Sequence, residues 1–274
     1  LFLALLLLMG IGPLLPWRRA TGASLKRALL APGTVALVTS AALFVLGVHK
    51  PYALIGFALG AFVTTGIFIE WGRGTLSRHH STGDIYPIAF LRLLGANRPR
   101  YGGYIVHLAV VMVALGVVGT SFFNEQMDVV LGPGESVRIK DYEIRYVGTI
   151  EDPKSNRTEF RSTVEVYRNG RLSYTLEPQR AFYPDFNMAA TRAAIRSTPV
   201  EDLFVVPSEN LPDGSVGFRI LINPLIWWMW VAGPVLILGT LVSLWPQQVR
   251  TTVPAPSRAG RTLTTPGTRG PATV

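Results

Sequence analysis

The sequence has no cysteine. Disulfides, thiolate metal sites and cysteine nucleophiles are therefore excluded, and any part this chain takes in thiol chemistry must use a partner's sulfur. Charge is scarce too: Asp, Glu, Lys and Arg make up 16% of the 274 residues, against about 25% in an average soluble domain. The shortfall is uneven, with charges missing from several runs of roughly 20 residues and crowded between them, the pattern of a membrane protein. Acidic side chains number only 17 against 26 Lys and Arg, for a net charge of +9. In a soluble protein that excess points to nucleic acid. Here the basic residues flank apolar runs, so membrane topology accounts for them and no nucleic acid is expected. There is no phosphate loop, no nucleophile elbow, no pair of carboxylates within a span and no internal repeat.

What is present is hydrophobic length. Five spans are expected: Leu1–Leu15, Ala28–Val48 with Pro32-Gly33 near its start, Tyr52–Ile69, Tyr101–Phe123 and Leu225–Trp245. All but the first are near the ~20 residues that cross a hydrocarbon core of about 30 Å. The chain opens Leu1-Phe2-Leu3-Ala4 without a basic n-region, and Pro16-Trp17-Arg18-Arg19 follows where a small-residue cleavage site would stand. That argues against a signal peptide and makes the first run a truncated span of a chain expected to be a fragment.

Lys and Arg set the expected orientation. Arg18, Arg19, Lys26 and Arg27 follow the first span, Arg73, Arg78, Arg92, Arg98 and Arg100 precede the fourth, and Arg250, Arg258, Arg261 and Arg269 lie in the tail. Five spans put these three groups on one side, assigned to the cytoplasm. The short His49-Lys50-Pro51 turn and the long 124–224 segment then face outward. Trp227, Trp228 and Trp230 at one end of the last span, and Trp245 at the other, read as headgroup-level anchors.

The expected organisation is a transmembrane region at 1–123, an extracytoplasmic β-rich domain at 124–224, a last transmembrane helix at 225–246 and a disordered cytoplasmic tail at 247–274. The fold class is thus a polytopic α-helical membrane protein with a β-rich domain between its last two spans. Within that domain Val137–Ile139, Tyr142–Tyr146, Phe160–Arg168, Leu172–Leu176, Leu203–Val206 and Val216–Ile222 read as strands, in a small barrel or sandwich. Asn169-Gly170 fits a two-residue hairpin turn, whose central residues need positive φ. Ala189–Ile195 reads as a short helix or a connecting loop. Asp84–Leu94 reads as a surface helix capped by Asp84, with Pro87 in its first turn and an apolar face of Ile88, Phe90, Leu91 and Leu94 suited to the interface. The Pro-, Thr-, Gly- and Arg-rich tail lacks the apolar content to fold.

His107 is the candidate of most interest. It is the one strongly polar ionisable group of the fourth span. Such a group is costly in lipid and normally faces protein, and neutral imidazole is a common haem-iron ligand. Gly102 and Gly103 leave room beside it for a flat macrocycle or a neighbouring helix. Set against ligation is a histidine simply hydrogen-bonded to another helix. His49 reads as an interface histidine without a role. His79-His80 lie in a loop, where adjacent histidines do not easily share a metal and no carboxylate stands by. Glu70 is expected to pair with an arginine at headgroup level. Gly56 and Gly60 have the spacing of close helix packing. Asn156-Arg157-Thr158 fits the glycosylation pattern.

Several segments together resemble a known family. Gly12-Pro13-Leu14-Leu15-Pro16-Trp17-Arg18-Arg19, Tyr101-Gly102-Gly103-Tyr104-Ile105-Val106-His107-Leu108 and Asn223-Pro224-Leu225-Ile226-Trp227-Trp228-Met229-Trp230 resemble, in order, segments of the cytochrome c-type biogenesis protein CcmF, a haem lyase subunit. Leu244-Trp245-Pro246 and the stretch Met188–Leu203 fit as well. The resemblance implies the C-terminal portion of a protein that takes haem from a carrier outside the membrane and joins its vinyl groups to the cysteines of a CxxCH motif. It implies a haem b held by two transmembrane histidines, of which His107 matches the second. It implies haem, apocytochrome c, a haem chaperone and other cytochrome c maturation proteins as partners, in the bacterial cytoplasmic (inner) membrane. The family's tryptophan-rich external motif, its two flanking histidines and its first transmembrane histidine are missing from these 274 residues. His49 does not match those ligands. The resemblance thus implies a haem lyase only as the full-length protein in a complex, with this fragment inactive alone. The alternative is a non-enzymatic membrane scaffold whose external domain docks the apocytochrome or the chaperone. A transporter is a weaker reading, since the spans lack polar or broken-helix sites.

Overall fold

The computed structural model describes residues 2–12 and 22–246. Most of the first resembling segment, residues 13–19, lies outside the described residues, as does the expected disordered tail at 247–274.

Among the described residues ten strands are followed by one α-helix and preceded by five. The five are α1 (Phe2–Ile11), α2 (Gly22–Val45), α3 (Pro51–Thr82), α4 (Tyr86–Ala96) and α5 (Arg98–Phe123). Among the described residues four helices are long and apolar enough to cross a membrane: Leu25–Val45, Pro51–Thr82, Arg98–Phe123 and Ile226–Leu244. Of the expected run Leu1–Leu15, ten residues form α1, and residues 1 and 13–15 lie outside the described residues. α2 is apolar on every side and little covered by protein, with Leu37 and Val38 exposed. A helix with this pattern is suited to hydrocarbon.

The helix that contains the third expected span, Tyr52–Ile69, continues well beyond it. α3 runs for 32 residues, about 48 Å at ~1.5 Å per residue, so it outruns a ~30 Å core by several turns. His79 and His80, expected in a loop, form its last turn instead. The helix stops at Gly83, φ 73, whose N–H returns to the His79 carbonyl, the left-handed ending that glycine allows at least cost.

α4 starts at Tyr86, with Ile85 at its cap position and no side-chain cap. Asp84 is therefore not the cap that was expected. Its carboxylate accepts from Thr82 Oγ1 at 2.8 Å and Arg92 Nη1 at 2.6 Å. A charge-assisted bond to a guanidinium outcompetes a backbone N–H. The inward face of α4 is Ala89 and Leu93, while Ile88 and Leu91 point out. Leu93 seats against Gly74, where a Cβ would come within 2.7 Å of it.

The strands are β1 (Glu125–Leu131), β2 (Ser136–Ile139), β3 (Tyr142–Pro153), β4 (Thr158–Arg168), β5 (Arg171–Leu176), β6 (Gln179–Tyr183), β7 (Met188–Arg192), β8 (Ala194–Ser197), β9 (Glu201–Asn210) and β10 (Val216–Pro224), followed by α6 (Ile226–Leu244). One sheet has the order β1-β10-β9-β8. The other has the order β2-β3-β4-β6-β7, with β5 also on β4. Every pairing is antiparallel. Alternate residues of both sheets meet in one core that includes Ile144, Tyr146, Val164, Val166, Val205, Phe218 and Ile220. Fully burying a side chain of this size contributes roughly 1.5–3 kcal/mol. Asn169 and Gly170 turn the β4–β5 hairpin at φ 52 and 71, as their sequence requires.

Four strands, β1, β6, β7 and β8, lie outside the expected ones. Ala189–Ile195 is neither helix nor loop: its residues pair with β6 as β7 and with β9 as β8. β1 was not expected at all. It holds its place through the register with β10, where Asp128 faces Arg219 and their side chains meet at 2.7 Å.

Candidate functional site around His107

α5 carries one polar stripe through an otherwise apolar helix. Arg100, Tyr104 and His107 follow at spacings of four and three, which bring side chains to one face. The stripe faces Glu70 on α3. Arg100 Nη2 stands 2.5 Å from Glu70 Oε2, and Arg100 Nε donates to Tyr104 Oη at 3.0 Å. Arg73 lies 3.8 Å from the other Glu70 oxygen. Glu70 thus has the arginine partner its place in the sequence led one to expect. Tyr104 is buried, so its ring and hydroxyl bridge the ion pair to the apolar interior.

His107 lies half-buried one turn beyond Tyr104. Its Nδ1 is 2.5 Å from the Gly103 carbonyl. A carbonyl only accepts, so Nδ1 carries the proton and Nε2 keeps the lone pair. The Nδ1 contact is the one hydrogen bond found for the ring among the described residues. The side chain borders a cleft between α1, α3 and α5, with Met9, Gly10, Gly66, Glu70 and Tyr104.

The two glycines of the motif divide the work. A Cβ on Gly102 would meet the Ser243 nitrogen at 2.5 Å and the Gly239 oxygen at 2.8 Å, so Gly102 is the seat of α6. A Cβ on Gly103 would meet nothing within 4 Å. Its contribution is the carbonyl that fixes His107. Farther along, Gly116 and Gly119 admit Met229 and Pro224–Leu225 at the same contact. Gly56 and Gly60 likewise take Val118 and Leu115 of α5.

The donor chemistry of His107 would suit an imidazole ligand to a metal ion. Metal-bound histidines ordinarily give their second ring N–H to a carbonyl or carboxylate, which sets the tautomer, and His107 has that arrangement without help from any ligand. The cleft itself has about 10 Å³, the room of about one water, and α1 closes it through Met9 and Gly10. Among the described residues no group of three or more His, Asp and Glu side chains is placed to hold a metal ion. His79 gives its Nδ1 to the Asp84 carbonyl oxygen and stacks on Tyr86. His49 turns its Nδ1 to the Gly47 carbonyl oxygen.

A second polar cluster sits where the β domain meets the last helix. The Glu201 carboxylate is 5% exposed. It accepts from Tyr142 Oη at 3.0 Å and from Lys140 Nζ at 2.6 Å, and Arg168 stands 4.0 Å away. Burial alone would raise its pKa. The hydrogen bonds from Lys140 and Tyr142, with the charges of Lys140 and Arg168, outweigh burial and hold it below the ordinary 4.5. Burial and the neighbouring Glu201 push the Tyr142 hydroxyl upward, so it remains a donor. Beside the cluster, Leu225 N–H bonds to the Val200 carbonyl and Trp228 Nε1 donates to the Pro199 carbonyl at 2.9 Å. Trp228 is therefore more than an interfacial anchor, whereas Trp230 is 73% exposed.

The Arg100–Tyr104–His107 stripe and Met9 escaped the sequence reading. The stripe's four-then-three spacing was available as a signal. Met9 had none, because its approach to His107 depends on how α1 packs against α3.

Residues 122–224 match the family described as CcmF C-terminal beta-sandwich. The chain is 27% identical over 249 residues to the cytochrome c-type biogenesis protein CcmF of Haemophilus influenzae, covering 89% of this chain and 37% of that protein. It is 28% identical over 265 residues to the cytochrome c-type biogenesis protein CycK of Rhizobium meliloti, covering 96% of this chain and 38% of that one. A solved structure titled Cytochrome c Heme Lyase CcmF superposes with a TM-score of 0.69 at 27% identity, over 89% of this chain and 38% of that chain. The chain thus spans little more than a third of the length of the relatives it matches.

Proposed function

We propose that this chain, matched along nearly its whole length by the C-terminal portion of CcmF proteins, works within a cytochrome c haem lyase. It assists covalent attachment of haem to the CxxCH motif of apocytochrome c by helping to hold a haem b in the membrane. The observation that carries this reading is the state of His107: its Nδ1–H is committed to Gly103, which leaves the lone pair on Nε2, inside an apolar span. A haem b held there would supply one-electron chemistry for keeping the incoming haem iron ferrous.

The chain's own residues do the holding. Gly103 sets the tautomer and direction of the imidazole. Arg100 and Tyr104 tie α5 to Glu70 of α3, which fixes the height of His107 between the two helices. A second imidazole would come from outside these residues. The thiols come from the apocytochrome, because the chain has no cysteine. Each thiol adds S–H across a haem vinyl group and leaves one thioether. The basic segments face the cytoplasm, the β domain is extracytoplasmic, and the chain crosses the bacterial inner membrane several times. Its partners are haem, apocytochrome c, a haem chaperone and other maturation proteins.

The test uses the full-length protein. It is expected to purify with a b-type haem spectrum, and His107→Ala is expected to lose or strongly weaken that spectrum. An unchanged spectrum in the variant removes His107 from the haem site.

One observation favours docking as a second task. A register shift between Tyr146 and Gly148 marks the point where the β3–β4 sheet leaves the core. Beyond it, residues 148–161 of the β3–β4 hairpin and the β6–β7 hairpin contain no buried residue, and Ile150, Phe182, Phe186 and Met188 are exposed. Apolar groups exposed this way on a sheet suit a protein partner. A photo-crosslinker at Phe186 should capture apocytochrome or chaperone in the assembled system, while one at Thr175 should not. Equal capture from both positions would remove this surface from the reading.

A further inference from the structure

β7 is the last strand of the larger sheet, on the wing that projects beyond the core. Among the described residues it pairs with β6 and with no other strand. All five of its residues are exposed. Alternate residues of an edge strand turn their N–H and C=O groups away from the neighbouring strand. None of the backbone bonds made outside the ladders involves Met188–Arg192. The outer edge of β7 is therefore open main chain.

Proteins ordinarily blunt such an edge with proline, a bulge or a charge in mid-strand. Met188-Ala189-Ala190-Thr191-Arg192 has its one charge at the end, no proline, and an unbroken register with β6. Ala189, Ala190 and Thr191 are too small to screen the backbone behind them.

The same wing carries positive charge that the domain does not neutralise. Lys154 and Arg157, near the β3–β4 tip, are ion-paired with Asp152 and Glu159. Arg161, Arg180 and Arg192 have no ion pair among the described residues, and the register gathers them. Arg161 lies opposite Gln179, and Gln179 opposite Arg192, in one row across β4, β6 and β7. Arg180 lies between Phe160 and Thr191 on the other face. Glu151, the acid in that second row, stands two strands away on β3. Neighbouring strands are about 4.8 Å apart, so a strand added to β7 would place a side chain about 5 Å from Arg192 in the first row.

These features select the occupant. Open main chain takes an extended strand, and small side chains make that recognition tolerant of sequence. The unpaired arginines call for carboxylates. A second copy of β7 supplies none, because Met188–Arg192 contains no acid. Of the two partners considered above, the apocytochrome lacks its haem and so presents extended chain.

We propose that the outer edge of β7 is a strand-addition site for an extended, acidic segment of the apocytochrome. The segment's main chain bonds to Met188–Arg192. One of its carboxylates pairs with Arg192, with Arg161 behind it in the same row. This rests on the docking reading of the wing and adds the mode of binding and the charge of the ligand.

The full-length protein in mild detergent is titrated with a fluorescein-labelled nine-residue peptide of alternating Glu and Val, followed by fluorescence anisotropy. That peptide is expected to bind at least tenfold tighter than its counterpart of alternating Lys and Val. Arg192→Glu, at an exposed position, should weaken it about tenfold by setting like charges face to face. Arg171→Glu, at the exposed β4–β5 turn, should leave it unchanged. N-methylation of two consecutive residues at the centre of the peptide removes a main-chain donor from each of its edges and should abolish binding. Equal affinity for the two peptides, equal effects of the two arginine variants, or binding that survives N-methylation would each overturn the site. The Phe186 crosslinker separates this failure from that of the reading beneath it. Capture of apocytochrome there alongside any of these results removes strand addition alone, and no capture removes the docking itself.

Discussion

Arg100 and Glu70 meet at 2.5 Å although thirty residues separate them in the sequence, and this pair locks α5 to α3 one turn from Tyr104 and two from His107. Glu70 is only 20% exposed and Arg100 about half exposed. Arg100→Leu leaves the carboxylate poorly solvated and should cost about 1–3 kcal/mol, the usual range for losing a hydrogen bond to a charged group. Glu70→Gln keeps a hydrogen-bonding oxygen and should cost less. Thermal melting of the two variants in detergent tests the order.

The adjacent glycines of α5 should behave in opposite ways. Gly102→Ala drives a methyl into the Ser243 and Gly239 backbone of α6, which cannot give way like a flexible side chain. Overpacking of this kind typically costs about 1–3 kcal/mol. Gly103→Ala meets open space and should be neutral or slightly stabilising in a helix. Proteolysis within the last helix would report the difference. Equal sensitivity in both variants would contradict the close approach of α6 at Gly102.

The foot of the β domain should make stability depend on pH in the acid range. The folded-state pKa of Glu201 lies below 4.5. Its contribution is therefore fully present above about 4.5 and is lost as pH falls through the folded value. Glu201→Gln should flatten that part of a melting-temperature profile and lower stability at pH 7 by about 1–3 kcal/mol, because Lys140 is left without its partner. A profile between pH 3 and 7 that matches the parent protein would show that the carboxylate does not carry this dependence.

Trp228 and Trp230 offer a further contrast on α6. Trp228→Phe removes the indole bond to Pro199 that joins the β8–β9 turn to the helix, and it should lower stability by about 1 kcal/mol. Trp230→Phe, at an exposed position, should change little. Amide exchange of residues 198–202 reads the effect directly, with faster exchange expected only in Trp228→Phe.

The sequence by itself determined the four long apolar helices, the strands that alternate and the hairpin turn, because each depends on neighbours close in the chain. Hydrophobic length marks a helix that lipid can surround, and Asn169-Gly170 marks a turn through the positive φ both residues adopt. Polarity within an apolar run was enough to single out His107. What the fold alone decided depends on contacts made across the sequence. β1 exists through its register with β10, and Ala189–Ile195 is strand because β6 and β9 offer it hydrogen bonds. Asp84 turned from the helix end to Arg92, a charged partner eight residues on. The same holds at the candidate site. That a histidine sits in the span is local information. The Glu70–Arg100 lock beside it and the division of labour between Gly102 and Gly103 follow only once helices distant in sequence are packed side by side.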